Sequence, residues 1–247
     1  MNELVSVIIT TYNRLGWLKE ALKSVKDQSY PYIEIIVVDS SETKNTKEYI
    51  LKNKNIIYAH SDINHPNVLR NLGIQYSTGN WIAFLDDDDT WNKEKIAKQV
   101  ECFKKNKIGL CYTGKNIINQ NNIKYSYKKG LFNVVAKSIM WDNFIGATSS
   151  IMIKKNIISK IGDFNESFPA LQDYEFSIRA CQHYHVKGIN EPLVNYNYQH
   201  NKQQVSINNT NFKKACVMLK RQYPKNCLLK FGLWKLKIKR RVKNIYE

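Results

Sequence analysis

Four consecutive carboxylates, Asp86 to Asp89, follow directly after the apolar segment 81–85. Like charges this close repel each other by roughly 1 kcal/mol in water and by about 4 kcal/mol near a protein surface, so the run favours a bound cation. An apolar segment of this length is typical of a buried strand. In open α/β sheets, ligands bind beyond the carboxyl ends of the strands, which is where these carboxylates would lie. The pattern therefore predicts a metal-binding loop, and a solvated acidic turn is the alternative.

Predicted strands and helices, which must position this acidic run, alternate along the first half of the chain. Segments rich in β-branched residues are typical of buried strands, and apolar residues at i, i+3, i+4 and i+7 are typical of amphipathic helices. Strands are predicted at 4–11, 33–38, 56–59, 81–85 and 108–113, with helices between them. This alternation indicates an α/β fold with a doubly wound, mostly parallel sheet and helices on both faces.

The regularity loosens after residue 113. The sequence predicts a polar loop at 116–122, a helix at 134–141 and a strand at 149–153 that returns to the sheet. A further helix is predicted to start at Asp173, because a carboxylate in the first turn of a helix is favoured by the helix dipole.

The positive charge is concentrated near the C-terminal end. The sequence has a formal net charge of +17, and residues 211–247 carry twelve Lys and Arg against one Glu, a net +11 that leaves +6 for the rest. We therefore divide the chain into a domain at 1–210 and a basic helical extension at 211–247. After Pro224, six apolar residues recur along one face of an amphipathic helix: Leu228, Phe231, Trp234, Ile238, Val242 and Ile245.

Such a helix, with apolar residues on one face amid lysines and arginines, is typical of one that lies on an anionic lipid surface. Two alternatives stay open at this point. The apolar face could pack on the protein's own core, or the aromatic residues interleaved with lysine could bind nucleic acid. The regular helical spacing favours the lipid surface, so no nucleic-acid partner is expected.

The sequence also indicates the cellular compartment of the protein. No apolar stretch reaches transmembrane length, and no signal-peptide region precedes the first predicted strand. The five cysteines are widely spaced and show no CxxC or Cys/His pattern, so free thiols are expected rather than a disulfide or zinc framework. We expect a cytoplasmic protein that is held peripherally on the inner face of the cell membrane.

The order and spacing of several segments resemble a known family, the inverting nucleotide-sugar glycosyltransferases of glycosyltransferase family 2, which have the GT-A fold. The resemblance covers roughly residues 4–206. Six segments carry it: VIITTYN (7–13), IVVD (36–39), LRNLG (69–73), FLDDDD (84–89), IGDFNE (161–166) and QDYE (172–175). Each segment is a weak signal alone, and their shared order makes the resemblance specific.

The resemblance implies a nucleotide-sugar site at the ends of the first strands. It implies that Tyr12 stacks on the uracil of a UDP-sugar and that Asp39 accepts a hydrogen bond from the pyrimidine N3–H. Thr10, Asn13 and Arg70 would belong to the same site. The plain structural alternatives are an aromatic packed at a strand end for Tyr12, a turn or helix cap for Asp39 and a solvated helix arginine for Arg70.

The acidic run resembles the family's DxD motif. The resemblance implies that Asp86 lies near the ribose, that Asp87 assists by hydrogen bonding, and that Asp88 binds Mn²⁺ or Mg²⁺. This cation would bridge the diphosphate and neutralise the charge on the departing nucleotide. His200 resembles a C-terminal histidine that reaches the metal or the diphosphate in some members, although a solvated histidine in a polar loop explains it equally well.

Inversion by direct displacement needs a base that takes the proton from the attacking hydroxyl. Asp173 occupies the family's base position, and a structural acid at a helix N-terminus is its alternative. The sequence departs from the family pattern at two places. Gln172 stands where Glu is usual, and Ser40 and Ser41 stand where a second Asp and a Gly are usual.

The sequence contains no Gln-x-x-Arg-Trp motif of the processive polysaccharide synthases, so transfer of a single sugar is expected. By resemblance, residues 143–148 line the cleft for the donor sugar and the acceptor. The expected partners are a UDP-sugar donor and a glycan or lipid-linked glycan acceptor.

Two other function classes compete with this interpretation. The Asp-x-Asp-x-Thr pattern at 86–90 also fits the nucleophile motif of haloacid-dehalogenase-like phosphatases, in which Asp86 would be phosphorylated. That motif belongs on a first strand, whereas this one follows about eighty residues of chain. The non-enzyme alternative is a basic membrane-binding or nucleic-acid-binding module on a catalytically inactive scaffold.

Overall fold

A single mixed β-sheet holds the predicted site residues in place. The computed structural model describes residues 3–105, 107–119, 122–127, 133–134, 136–197 and 208–243. The strands of this part of the chain are β1 (Val5–Thr11), β2 (Ile33–Asp39), β3 (Ile56–His60), β4 (Trp81–Asp86), β5 (Thr90–Trp91), β6 (Leu110–Asn119), β7 (Asn122–Tyr127), β8 (Asn133–Val134), β9 (Met152–Lys154) and β10 (Val186–Asn197).

The helices cover both faces of this sheet. They are α1 (Leu15–Lys26), α2 (Asn45–Leu51), α3 (Pro66–Tyr76), α4 (Lys95–Lys105), α5 (Ala136–Trp141), α6 (Ile158–Ile161), α7 (Gln172–His183), α8 (Asn209–Gln222) and α9 (Cys227–Lys243). The predicted alternation of strands and helices up to residue 113 is confirmed.

The sheet order is β3-β2-β1-β4-β9-β6-β10-β5, with β7 beside β6 and β8 beside β10. β1 pairs in parallel with β2 and β4, so Thr11 lies opposite Asp39 and Thr10 opposite Asp86. The carboxyl ends of these three strands therefore meet at one edge. This register brings three of the predicted donor-site residues side by side.

Three segments differ from the prediction. Val134, predicted as helical, lies in β8, and α5 begins at Ala136. Residues 116–119, predicted as a loop, continue β6 because their backbone pairs with β10 on one side and β7 on the other. The predicted strand at 149–153 is shortened to β9, and residues 148–150 form a 3₁₀ turn. The turn is held by the Ser150 hydroxyl, which donates a 2.7 Å hydrogen bond to the carbonyl of Ala147.

Alternate residues of β1 enter different cores, as strand geometry requires. Val7 and Ile9 pack beneath α1 and α4, whereas Ile8 packs on the opposite face with α3, α5 and α7. All seven residues of β1 are buried, which is typical of a central strand covered by helices on both faces.

A fully buried lysine lies in the layer behind the acidic run. The ammonium of Lys95 donates a 2.7 Å hydrogen bond to Gln99 Oε1 and lies 3.9 Å from the centre of the Trp91 ring. The Trp91 indole donates to the carbonyl of Ser149, and the Gln99 amide donates to that of Ser150. This network fixes the 3₁₀ turn against α4. Burial lowers the pKa of Lys95 to about 7.

The two C-terminal helices pack on the same core as α5 and α7. Ala215 and Leu219 of α8 and Leu229 and Leu233 of α9 are buried in it. A Cβ added at Gly232 would lie only 2.5 Å from the Met140 carbonyl oxygen, so α9 rests directly on the end of α5. The division of the chain at residue 210 stays a prediction.

Four of the six side chains predicted to form the outer apolar face of α9 belong to the described residues. Leu228, Phe231, Trp234 and Ile238 are exposed, while other residues of α9 supply the contacts with the core. Ile245 lies outside the described residues, and so does the side chain of Val242. Within the described parts of the chain, none of the helices combines the length and the apolar composition that crossing a membrane requires.

Candidate active site

A cavity of about 820 Å³ opens at the carboxyl ends of β1 and β4. Residues from both strands, from α3, from the 143–148 segment and from α7 line it. Eight of the predicted site residues are among them: Thr10, Tyr12, Asn13, Arg70, Asp86, Asp87, Asp88 and Asp173. The fold therefore gathers residues more than 160 positions apart in the sequence around one space.

The turn after β1 forms one wall of this cavity. Asn13 adopts a left-handed backbone conformation, with φ of 52°, which asparagine tolerates better than most residues. Its backbone N–H donates a 2.7 Å hydrogen bond to the Ser41 hydroxyl. The hydroxyl of Tyr12 donates to Glu42 at 3.1 Å, and this hydrogen bond raises the pKa of Tyr12. The turn thus presents Tyr12 beside the end of β2.

Asp39 lies behind this wall rather than in it. Its side chain is fully buried and is not among the described residues that line the cavity. One carboxylate oxygen accepts from the Ser41 N–H at 2.8 Å, and the other accepts from the Tyr58 hydroxyl at 3.1 Å. Burial, with the neighbouring Asp39 carboxylate, raises the pKa of Tyr58 to about 12. The predicted contact of Asp39 with the base stays a prediction.

Arg70 is a buried cation that points at the acidic run. Its side chain is only 7% exposed, and Nη2 donates a 2.8 Å hydrogen bond to Asp86 Oδ1. Nη1 donates to Asn67 at 3.2 Å. Nε is buried and has no hydrogen-bond partner among the described residues. A solvated helix arginine is therefore the wrong interpretation, because the guanidinium is buried and paired with Asp86 at the cavity.

The other three carboxylates have different surroundings. Asp87 accepts a 2.7 Å hydrogen bond from the Thr11 hydroxyl, and Arg14 lies 3.3 Å from it and 3.2 Å from Asp88. Burial, reinforced by neighbouring carboxylates, raises the pKa of Asp87 to about 7 and that of Asp88 to about 6. Asp88 keeps part of its side chain exposed to the cavity.

Asp89 belongs to the scaffold. It is buried, accepts a hydrogen bond from the Asn197 backbone N–H at 3.0 Å and is hydrogen-bonded to the Ser149 hydroxyl at 2.5 Å. Burial raises its pKa well above the ordinary aspartate value. The fourth carboxylate therefore ties the acidic run to β10 and to the 3₁₀ turn instead of facing the cavity.

Sequence reasoning missed Arg14, Thr11 and Ser149. A signal for Arg14 was present, because it is the cation that directly follows the Tyr12-Asn13 pair at the end of β1. Thr11 and Ser149 carry no such signal, since a hydroxyl becomes a specific hydrogen-bond donor only after folding brings a carboxylate to it.

The carboxylate oxygens at the cavity can be tested for their fit to a divalent cation. Mg²⁺ commonly binds through one or two carboxylates and completes its shell with water and substrate phosphates. Asp86 and Asp88 supply such oxygens at the cavity wall. The described residues hold no group of three or more His, Cys, Asp or Glu placed to bind a metal alone. The arrangement thus fits a cation that shares its ligands with a bound diphosphate. His200 lies outside the described residues.

Asp173, the predicted base, lines the same cavity from α7. It is half-buried in the first turn of α7 and lines the cavity. Burial raises its pKa above the ordinary aspartate value, and Lys115 and Arg70 oppose part of that shift. A carboxylate with a raised pKa is a better proton acceptor near neutral pH.

An ion pair on α7 secures the helix that carries Asp173. Arg179 donates to both carboxylate oxygens of Glu175, at 2.7 and 2.8 Å, and Glu175 is only 1% exposed. The same guanidinium donates to the carbonyls of Ile161, Gly162 and Asp163. The pair therefore fixes the 161–163 turn to α7.

Replacing Glu175 by glutamine should lower the free energy of unfolding by about 3 kcal/mol, because it leaves a largely buried guanidinium without its counter-charge. Chemical denaturation measures the change. The matched control is Glu101→Gln, which breaks the exposed i,i+4 pair with Lys105 and should have little effect. Equal effects of the two substitutions would show that the Arg179 pair does not stabilise this wall.

The segments that line the cavity up to residue 148 also carry a family signature. The sequence profile of glycosyl transferase family 2 matches residues 6–162, more than half of the chain. The chain belongs to glycosyl transferase family 2. Membership removes the basis of the phosphatase hypothesis.

A family 2 relative is WfgD from Escherichia coli, named as a UDP-Glc:alpha-D-GlcNAc-diphosphoundecaprenol beta-1,3-glucosyltransferase. It is 26% identical over 226 residues, which span 89% of this chain and 84% of WfgD. Three glycosyltransferases from Rickettsia species are also similar, and the matched region spans only 20–22% of the length of each.

Two solved structures share the fold. S. aureus TarS in complex with UDP-GlcNAc superimposes with a TM-score of 0.70 at 18% identity, over 92% of this chain and 71% of the TarS chain. The mannosyltransferase PcManGT from Pyrobaculum calidifontis, in complex with GDP-Man and Mn²⁺, gives 0.64 at 19% identity, over 83% and 59% of the two chains. The predicted GT-A α/β fold is confirmed.

Proposed function

We propose that this glycosyltransferase moves one sugar from a UDP-sugar to a hydroxyl of a glycan or lipid-linked glycan, with inversion at the anomeric carbon. One observation carries the donor assignment. A buried cation, Arg70, and two carboxylates, Asp86 and Asp88, line the same cavity. A diphosphate supplies acceptor oxygens to the guanidinium and completes the shell of a cation at the carboxylates.

The choice of UDP rests on two supports. Tyr12 is placed at the cavity wall, where its ring can stack on a base, and Asp39 lies at the end of the neighbouring strand. The name of WfgD and the TarS complex both specify a uridine nucleotide, whereas PcManGT was solved with GDP-Man. Thr10 and Asn13 shape the same wall.

Mn²⁺ or Mg²⁺, held by Asp88 next to Asp86 and with His200 as a further predicted ligand, would neutralise the charge of the departing diphosphate. Arg70 adds charge-assisted hydrogen bonds to the phosphate oxygens. Asp87 stays bound to Thr11 and keeps the loop in position. The chain's own residues thus orient the leaving group.

Asp173 accepts the proton of the attacking acceptor hydroxyl. It lines the wall formed by α7, while Asp86 and Asp88 line the wall at β4. We infer that a hydroxyl held at Asp173 approaches the sugar from the side opposite the diphosphate, as direct displacement requires. Direct displacement in this arrangement inverts the anomeric carbon, so an α-linked donor yields a β-linked product.

The acceptor assignment follows from the C-terminal end of the chain and from WfgD, whose name specifies a lipid-linked acceptor. The net charge of +11 in residues 211–247 suits an anionic lipid surface on the cytoplasmic side of the membrane. We place the protein there as a peripheral enzyme, with no nucleic-acid partner.

Calorimetry with UDP-glucose, UDP-GlcNAc and GDP-mannose should detect binding of a uridine donor in the presence of Mn²⁺ and weaker binding after chelation. The reason is that the cation offsets the repulsion between the diphosphate and the carboxylates. A nucleotide-release assay with the same donors then identifies the sugar. Tighter binding of GDP-mannose, or affinity that chelation leaves unchanged, would contradict the donor or the metal assignment.

A further inference from the structure

An exposed apolar surface lies on α9 and at the end of α5, and we call it the aromatic face. Its members are 37–55% exposed: Trp141, Leu228, Phe231, Trp234 and Ile238. The rings of Trp141 and Phe231 stack with centres 4.5 Å apart, and those of Phe231 and Trp234 lie 5.3 Å apart. A contiguous exposed patch of this kind marks an interaction surface more often than scattered apolar residues do.

The aromatic face is attached to the catalytic domain through core packing. Leu229 and Leu233, on the other side of α9, are buried in the core beneath α5 and α7. Gly232 allows the α9 backbone to touch the carbonyls of Met140 and Trp141. The orientation of the face relative to the cavity is therefore set by the fold.

Positive charges border the face on both edges. Because successive helix residues are rotated by about 100°, Phe231, Trp234 and Ile238 fall within an arc of about 60° on α9. Lys230 and Lys237 are exposed along one edge of that arc. Lys235 borders the other edge, where its ammonium lies 4.8 Å from the Trp141 ring centre and 3.4 Å from Asp142. Apolar side chains flanked by lysines fit the headgroup region of an anionic bilayer.

The aromatic face is next to the cavity in the chain. Trp141 ends α5, and Asn143, two residues later, lines the cavity together with Phe212 of α8. A surface on which Trp141 lies is therefore adjacent to a wall of the cavity.

We propose that the aromatic face inserts into the headgroup region of an anionic lipid bilayer and holds the cavity mouth against it. This deepens the proposed function, on which it rests for the nature of the acceptor. It accounts for two features together: the exposed rings on α9, and the excess of positive charge in the same segment.

Sedimentation with vesicles of phosphatidylcholine and phosphatidylglycerol tests the proposal on the full chain. We expect binding to these vesicles, weaker binding to vesicles of phosphatidylcholine alone, and weakening by salt, because salt screens charge. The double substitution Phe231→Ser and Trp234→Ser should reduce the partition coefficient at least about tenfold, since it removes two large apolar side chains from the interface. Lys230→Glu with Lys237→Glu should reduce binding to the anionic vesicles only.

Trp17→Ser is the matched control. Trp17 is 38% exposed on α1, which covers the opposite face of the sheet, so its loss should leave vesicle binding unchanged. Melting curves verify that the variants fold. If the double variant melts early, Trp234→Ser alone, at the most exposed ring of the face, replaces it.

Vesicle binding that the serine substitutions leave unchanged would overturn the proposal, as would a wild-type chain that ignores anionic vesicles or binds a single-stranded oligonucleotide through the same residues. UDP-sugar calorimetry on the double variant separates the two hypotheses. Normal donor binding with lost vesicle binding supports the aromatic face. Lost donor binding in a wild-type chain that still binds vesicles contradicts only the proposed function.

Discussion

Replacing Asp88 by alanine should lower kcat/KM about 10³-fold and weaken metal-dependent donor binding. Metal neutralisation of a leaving group is worth several kcal/mol, and each 1.36 kcal/mol corresponds to a factor of about ten in rate. Asp88 is the carboxylate of the run that is neither held by a scaffold hydroxyl, as Asp87 and Asp89 are, nor paired with the buried Arg70. Its ion pair is with Arg14, which also contacts Asp87, so the loss of Asp88 removes a ligand while Arg14 keeps a carboxylate partner.

Steady-state kinetics and Mn²⁺ titration measure this effect. The matched control is Asp27→Ala, which removes an exposed carboxylate at the end of α1 and should change neither quantity. An Asp88→Ala enzyme whose affinity for UDP stays both normal and sensitive to chelation would show that another carboxylate holds the cation.

Replacing Asp173 by asparagine should lower kcat by about 10²- to 10⁴-fold and leave donor binding intact, because general-base catalysis contributes on that order. The substitution keeps the size of the side chain and removes its ability to take a proton. The wild-type rate should also fall as the pH drops through the pKa of Asp173, which burial has raised, and the variant should lose that dependence.

Kinetics with a fixed acceptor, together with NMR of the anomeric proton of the product, test the base and the stereochemistry. Asp163→Asn is a suitable control, since Asp163 is exposed and contacts Arg179 through its backbone carbonyl. A normal rate for the Asp173 variant would assign the base elsewhere, and a retained α linkage would exclude direct displacement.

The parts of the site that the sequence predicts are those set by strand order. Parallel strands end at one edge, so the alternation of strands and helices predicts that the ends of β1 and β4 lie at the same edge, although it does not predict that the two strands are neighbours. The insertion of antiparallel β9 between β4 and β6 does not follow, because it depends on a return of the chain after a long irregular segment.

Side-chain partners across the site are less predictable. Four adjacent aspartates are equivalent in the sequence, yet folding gives them different roles. Asp86 faces Arg70, Asp88 faces the cavity and Asp89 turns inward to Ser149. Each role depends on a donor from a distant element, and a single sequence does not show which donors will converge.

The buried Lys95 makes the free energy of unfolding of this scaffold depend on pH between about 7 and 10.5. An exposed lysine in the unfolded chain has its ordinary pKa of 10.5, whereas burial lowers the folded value to about 7. Between these values the unfolded chain binds one more proton than the folded chain, so the contribution of Lys95 to the free energy of unfolding increases with pH. That contribution is complete above pH 10.5 and is lost as the pH falls towards 7. Global unfolding between pH 7 and 10.5 is therefore coupled to proton uptake at a residue that lies behind the acidic run and outside the cavity.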